Sequence, residues 1–161
     1  MKPTYLGGLA AVLLAAACAK HPSESGVKSI EAQIDGLTCP TCVPPLLNSL
    51  KRRFQSSAID VNDDTDTARI TFAGPDAFST ADFQSAVERV RMHVVSVKMQ
   101  ACGTVEEAAG QKVLRAGSNR FAVRADGSLP VNQPVCAEGS LDARSDPPAF
   151  QVSSFSLQAA R

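Results

Sequence analysis

The chain lacks tryptophan and has one tyrosine and seven phenylalanines. That scarcity argues against a large aromatic-lined pocket, because aromatic side chains usually supply much of the wall of such sites. Charge of either sign is missing in net terms: 16 Lys and Arg balance 16 Asp and Glu. Neither a nucleic-acid groove nor a strongly charged partner is indicated. Histidine occurs only at His21 and His93, and there is no Gly-x-Ser-x-Gly elbow and no glycine loop of the kind that cradles phosphate. The acidic run Asp63, Asp64 and Asp66 lacks the glycine and terminal glutamate of a calcium loop and reads as a solvated turn. An enzyme is not expected.

A long apolar run is also missing. The stretch LGGLAAVLLAAAC, preceded by Lys2, falls short of the roughly 20 residues that span a bilayer and has the form of a secretory signal. Residues 1–17 are therefore expected to be removed, which places the mature chain outside the cytoplasm. The run LAAAC resembles a bacterial lipobox with Ala15 where leucine is preferred. That resemblance implies acylation of Cys18 and attachment to the membrane through lipid chains. Ordinary cleavage after the alanines is the alternative, leaving a secreted or periplasmic protein. Residues 18–26 read as a polar tether. Setting Cys18 aside, Cys39, Cys42, Cys102 and Cys136 remain, and an even number in an oxidising compartment makes disulfides the default for any pair without another use.

From residue 27 to residue 100 the periodicity alternates between strand and helix. Ile30, Ala32 and Ile34 alternate with polar residues as a half-buried strand does. Val43, Leu46, Leu47, Leu50 and Phe54 then recur at helical spacing, ending in Lys51, Arg52 and Arg53. Pro44 and Pro45 fall in the first turn, where backbone N–H groups have no intrahelical acceptor to lose. Residues 58–62 and 68–73 read as a hairpin. Ser79 followed by Asp82 reads as a helix start, with Phe83, Ala86, Val87 and Val90 on one face. A last strand is expected from His93 to about Gln100. The sequence thus predicts strand, helix, strand, strand, helix, strand, a ferredoxin-like βαββαβ arrangement with both helices on one sheet face.

This order, with GLTCPTC between the first strand and the first helix, resembles the heavy-metal-associated domain family, which includes copper metallochaperones and periplasmic mercury-binding proteins. The family's loop is Gly-Met-Thr-Cys-x-x-Cys. Here Gly36, Thr38, Cys39 and Cys42 match it, and Leu37 stands in for methionine as an apolar plug. The resemblance implies that Cys39 and Cys42 are metal ligands supported by Gly36, Leu37 and Thr38. It also implies a metal transporter or another metal-accepting envelope protein as partner. Aligned on the family's last strand, His93 would lean over the two cysteines as a third ligand or a titratable neighbour. Met92 is a weaker candidate.

Two thiolates at a helix start can converge on one soft ion, and the positive end of the helix dipole favours the thiolate form. Sulfur ligands select Cu(I) and, by the same softness, Hg(II), with Zn(II) requiring further ligands. A Cys-x-x-Cys at such a junction also serves thiol–disulfide exchange, and an inert structural disulfide in an interaction module is the third reading.

Beyond Cys102, short strands alternate with turn signals in KVLRA, NRFAVR, PVCAEGSL and AFQVSSFSL. The pattern resembles small OB-like barrels of envelope proteins, which implies a second domain over residues 101–161. In such a barrel Cys102 and Cys136 lie on neighbouring strands and would form a disulfide. The expected class is therefore α+β: a ferredoxin-like domain over residues 27–100 followed by a small all-β barrel. Its expected work is binding and transfer or buffering of a soft metal ion in the cell envelope.

Overall fold

The computed structural model describes residues 25–74, 78–125 and 129–158. The expected signal segment, Cys18 and most of the tether lie outside those residues. Among the described residues, the elements run β1 (Gly26–Asp35), a 3-10 turn (Pro40–Cys42), α1 (Val43–Arg53), β2 (Ser57–Asn62), β3 (Thr67–Phe72), α2 (Thr80–Glu88), β4 (His93–Ala108), β5 (Gln111–Ala116), β6 (Asn119–Ala125), β7 (Pro134–Asp142) and β8 (Ala149–Leu157).

Local chemistry accounts for the helices. In α1, Leu46 and Leu50 are fully buried while Lys51, Arg52 and Arg53 in the last turn are exposed, where cations complement the negative end of the helix dipole. Phe54 ends the helix and packs its ring among those of Phe72, Phe78 and Phe83. In α2 the Ser79 hydroxyl accepts from the Asp82 N–H at 3.1 Å, satisfying one of the first unpaired donors. Phe83, Ala86 and Val87 form its buried face. The helices meet at Ser49, whose hydroxyl donates to the Ala86 carbonyl at 2.7 Å in a buried position.

The strands form one sheet in the order β2-β3-β1-β4-β5-β6-β8-β7, with β7 returning to pair with β4 as well. Neighbours are antiparallel except β6 and β8, which are parallel. This overturns the expected fold class of a ferredoxin-like domain followed by a separate OB-like barrel. The strand expected to end near Gln100 instead continues through His93–Ala108, 16 residues, and belongs to both halves. Its first part pairs with β1, residues 98–104 pair with β7, and residues 104–108 pair with β5. Cys102, expected to open a second domain, lies within β4 opposite both Gly26 and Cys136.

The physical reason is an uninterrupted alternation. Val97, Met99, Ala101, Gly103 and Val105 are all buried in phase, so no residue stops the strand before Ala109 and Gly110, whose positive φ values of 51° and 76° make the turn. The core is likewise continuous. Val27, Ile30, Leu46 and Phe83 belong to the same apolar cluster as Val105, Phe121, Val135 and Phe150. A separate barrel would need its own core.

Two glycines permit the close approach of strands around β4 and β7. A Cβ on Gly103 would stand 2.0 Å from the Arg115 carbonyl oxygen, and one on Gly139 would stand 1.9 Å from that of Gln151. Gly139 also sits at a register shift between β7 and β8. Gly139→Ala is therefore expected to destabilise the protein by at least about 2 kcal/mol, because backbone rather than a flexible side chain must move. Equilibrium urea unfolding measures this, and an unchanged midpoint would refute the close approach.

On the opposite sheet face from the helices, Glu31 of β1 faces Arg69 of β3 as a cross-strand pair. Arg69 Nε donates to the Glu31 carboxylate at 3.1 Å, and its terminal nitrogen makes a second contact. The hydrogen bond from Arg69 holds the Glu31 carboxyl below its ordinary value of 4.5, against a smaller opposing effect of burial. A carboxyl lowered in the folded state stabilises above its unfolded value and loses that contribution as pH falls through the folded value. Because the pair is largely solvated, solvent screening keeps its contribution small. Glu31→Gln should lower stability slightly at pH 7 and flatten the acid limb of the stability curve below about pH 4.5; parallel acid limbs in parent and variant would exclude the coupling.

Candidate metal-binding loop

The loop between β1 and α1 is anchored at both ends by burial. Gly36 has φ +94°, a conformation that other residues adopt only under strain, and lets the chain leave β1 directly above Met92. Leu37 turns inward and is fully buried in the common core. Thr38 faces solvent. Cys39 is extended, with φ −152° and ψ 146°, and caps the 3-10 turn of Pro40–Cys42. Cys42 then occupies the cap position of α1.

These constraints bring the two cysteines together. Their Cα atoms are 5.3 Å apart, the sulfurs are joined as a disulfide, and both residues are half-buried. The Cys42 N–H donates to the Cys39 carbonyl at 2.8 Å, closing the turn. Cys39 Sγ lies 3.2 Å from Thr41 Oγ1. The place of Thr41 between the two cysteines is the sequence signal for this hydroxyl beside sulfur.

The helix start supplies less hydrogen bonding to the sulfurs than its position suggests. Of the first helical residues Val43, Pro44 and Pro45, the two prolines have no N–H, and the Cys42 N–H is already used. Dipole orientation, more than N–H donation, is what this helix end offers a thiolate.

The other sequence-derived candidates stand elsewhere. His93 is exposed at the start of β4 and pairs with Asp35, the residue just before Gly36. It does not join the cysteines in a ligand group: among the described residues no three His, Cys, Asp or Glu side chains are placed to hold a metal. Met92 is buried under Gly36 as part of the core. Cys102 and Cys136 face each other across β4 and β7, joined as a disulfide with Cα atoms 4.0 Å apart, and the Gln158 amide donates to Cys136 Sγ at 3.1 Å. From His93 to Cys102 the strand advances about 30 Å, so this pair is remote from the loop. Cys18 lies outside the described residues.

A polar groove of about 550 Å³ on the sheet face is lined in part by Glu31, Arg69, Lys98, Gln100 and Glu138. Those five residues point outward from four strands. Only the strand order gathers them.

No protein-family model matches this chain, and no curated protein matches it. A solved structure described as "Crosstalk between Cu(I) and Zn(II) homeostasis" is similar over 42% of this chain and 94% of that chain, at 20% identity with a TM-score of 0.36. A likeness that weak carries no argument about this chain. The Cys39 and Cys42 pair is compatible with metal handling.

The anchoring of the loop by Leu37 is testable. Leu37→Ala should cost about 2–5 kcal/mol, the range for emptying a fully buried leucine site, whereas Thr38→Ala should change stability by less than about 0.5 kcal/mol. Thermal or urea unfolding of the two variants gives the comparison, and equal effects would mean that Leu37 is not the plug.

Proposed function

We propose that the protein binds a soft metal ion of the Cu(I) or Hg(II) class through Cys39 and Cys42 in the cell envelope, and transfers or buffers it without catalysing a reaction. The observation that carries this reading is the placement of both cysteines on one turn, Cα atoms 5.3 Å apart, at the accessible entry to α1. In the reduced state two thiolates so held offer a soft ion a two-sulfur site with open sides. Zinc prefers four ligands, and among the described residues no group of three His, Cys, Asp or Glu is placed to hold a metal, so Cu(I) and Hg(II) fit the pair better. His93, paired with Asp35 just before the loop, is not a ligand in this proposal, because it forms no three-ligand group with the cysteines among the described residues. Cys18, acylated after removal of residues 1–17, would hold the chain at the membrane beside a metal-accepting partner.

The loop leaves β1 at Asp35, whereas the chain enters β1 at Gly26, at the other end of a 10-residue strand. About 30 Å of strand therefore separates the expected tether from the cysteines. An anchored protein would present its metal site away from the tether, where a partner can reach it.

The disulfide between Cys39 and Cys42 favours a second reading, a thiol–disulfide oxidoreductase, since that pair must accept two electrons before it can bind metal. Native mass spectrometry of the reduced protein offered Cu(I), Hg(II) or Zn(II) separates the two. One Cu(I) or Hg(II) should be retained by the parent and lost from Cys39→Ser and Cys42→Ser, and His93→Ala should retain it against a chelator as the parent does. Equal retention by both cysteine variants would exclude the site. Disulfide exchange with a substrate thiol, without metal uptake, would establish the second reading, and neither activity would leave a structural disulfide in an interaction module.

A further inference from the structure

We propose that the seam between α1 and α2 is a binding site for one tetrahedral oxyanion, a phosphate carried either free or as the headgroup of an anionic lipid. The helices run antiparallel along this seam, with Ser49 against Ala86 and Arg53 against Asp82. Between them is a cleft of about 90 Å³ lined by Ser49, Arg52, Arg53, Asp82, Ser85, Ala86 and Arg89. That is about three times the ~30 Å³ that a water molecule occupies in the liquid, room for one phosphate-sized ion.

The charges in the cleft are incompletely matched. Arg53 is paired with Asp82. Arg52 uses only its Nε, which donates to the Asn48 carbonyl at 3.3 Å, leaving both terminal nitrogens available. The Arg89 guanidinium has no hydrogen-bond or ion-pair partner among the described residues. Three cations and one carboxylate thus line the same small volume, and Arg52 and Arg89 enter it from different helices.

Cations in the last turns of helices are ordinarily explained by the helix dipole. That explanation applies to each helix alone and does not require Arg52 and Arg89 to share a cleft. Planar guanidinium groups with free terminal N–H groups bind phosphate through paired, charge-assisted hydrogen bonds. The Ser85 hydroxyl, at the same wall, adds a neutral donor. Ser49 closes the floor, its hydroxyl already committed to Ala86. The site is independent of Cys39 and Cys42 and stands whether or not those residues bind metal.

The test uses the full chain in two arms at constant ionic strength, which removes the general effect of salt. In the first, inorganic phosphate is titrated and followed by backbone amide NMR, with chloride as control. In the second, sedimentation measures binding to phosphatidylglycerol vesicles against phosphatidylcholine vesicles. Amide shifts should concentrate at Ser49, Arg52, Ser85 and Arg89, and R52Q/R89Q should weaken binding at least about tenfold in whichever arm is positive. R91Q/R120Q removes the same charge elsewhere and should bind as the parent does. S85D places a carboxylate in the cleft and should abolish binding with the arginines intact, so the result does not depend on one variant folding. A positive phosphate arm identifies the free ion, and a positive vesicle arm alone identifies the headgroup. Absence of binding in both arms, or equal loss in R91Q/R120Q and R52Q/R89Q, would overturn the proposal.

Discussion

The hydrogen bonding of β4 along both edges is the constraint on which the rest of the structure depends. From residue 98 to residue 102 the strand is paired simultaneously with β1 and with β7, so its backbone donors and acceptors are consumed on both sides. On one side this fixes β1, and with it the loop that carries the cysteines. On the other it fixes β7, whose return to β4 draws the last strands into the same sheet. Gly103 and Gly139 are the local expression of that constraint, since a side chain at either would strike the backbone of the next strand.

The cysteine loop inherits its geometry from this frame. β1 is held between β3 and β4, which sets where Gly36 leaves the sheet. Leu37 then fixes the loop from within, while the 3-10 turn and the start of α1 fix it from the far side. What is left free at the surface is short: Thr38, the two cysteines and the residues between them. A soft-metal site needs sulfurs held close without being enclosed, and a disulfide-exchange site needs the same. The shared requirement explains why one loop supports both readings, and why their separation rests on chemistry rather than on backbone shape.

Charge is distributed by element rather than by net balance. The chain as a whole is neutral, yet outward strand residues produce the matched Glu31 and Arg69 pair on one sheet face, while the helical seam gathers Arg52, Arg53 and Arg89 against Asp82. Net charge therefore describes solubility and long-range attraction, and the local excess at the seam arises only when two helices are laid side by side.

The sequence by itself determined the helix around Leu46 and Leu50, the capped start of α2 at Ser79, the inward alternation of Ile30, Ala32 and Ile34, and the closeness of Cys39 and Cys42. Each depends on contacts within a few residues, through helical spacing, side-chain capping or a tight turn. Tertiary structure decided that residues on either side of Gln100 share one sheet, because pairing of β4 with β7 joins residues 30 or more positions apart and leaves no local mark beyond an alternation that does not stop. It also decided the place of His93, whose strand register sets it beside Asp35 and outside any three-ligand group among the described residues. The same holds for the arginine seam and the polar groove: their members have ordinary surface spacing in the chain, and only the packing of helix on helix and strand beside strand makes them neighbours.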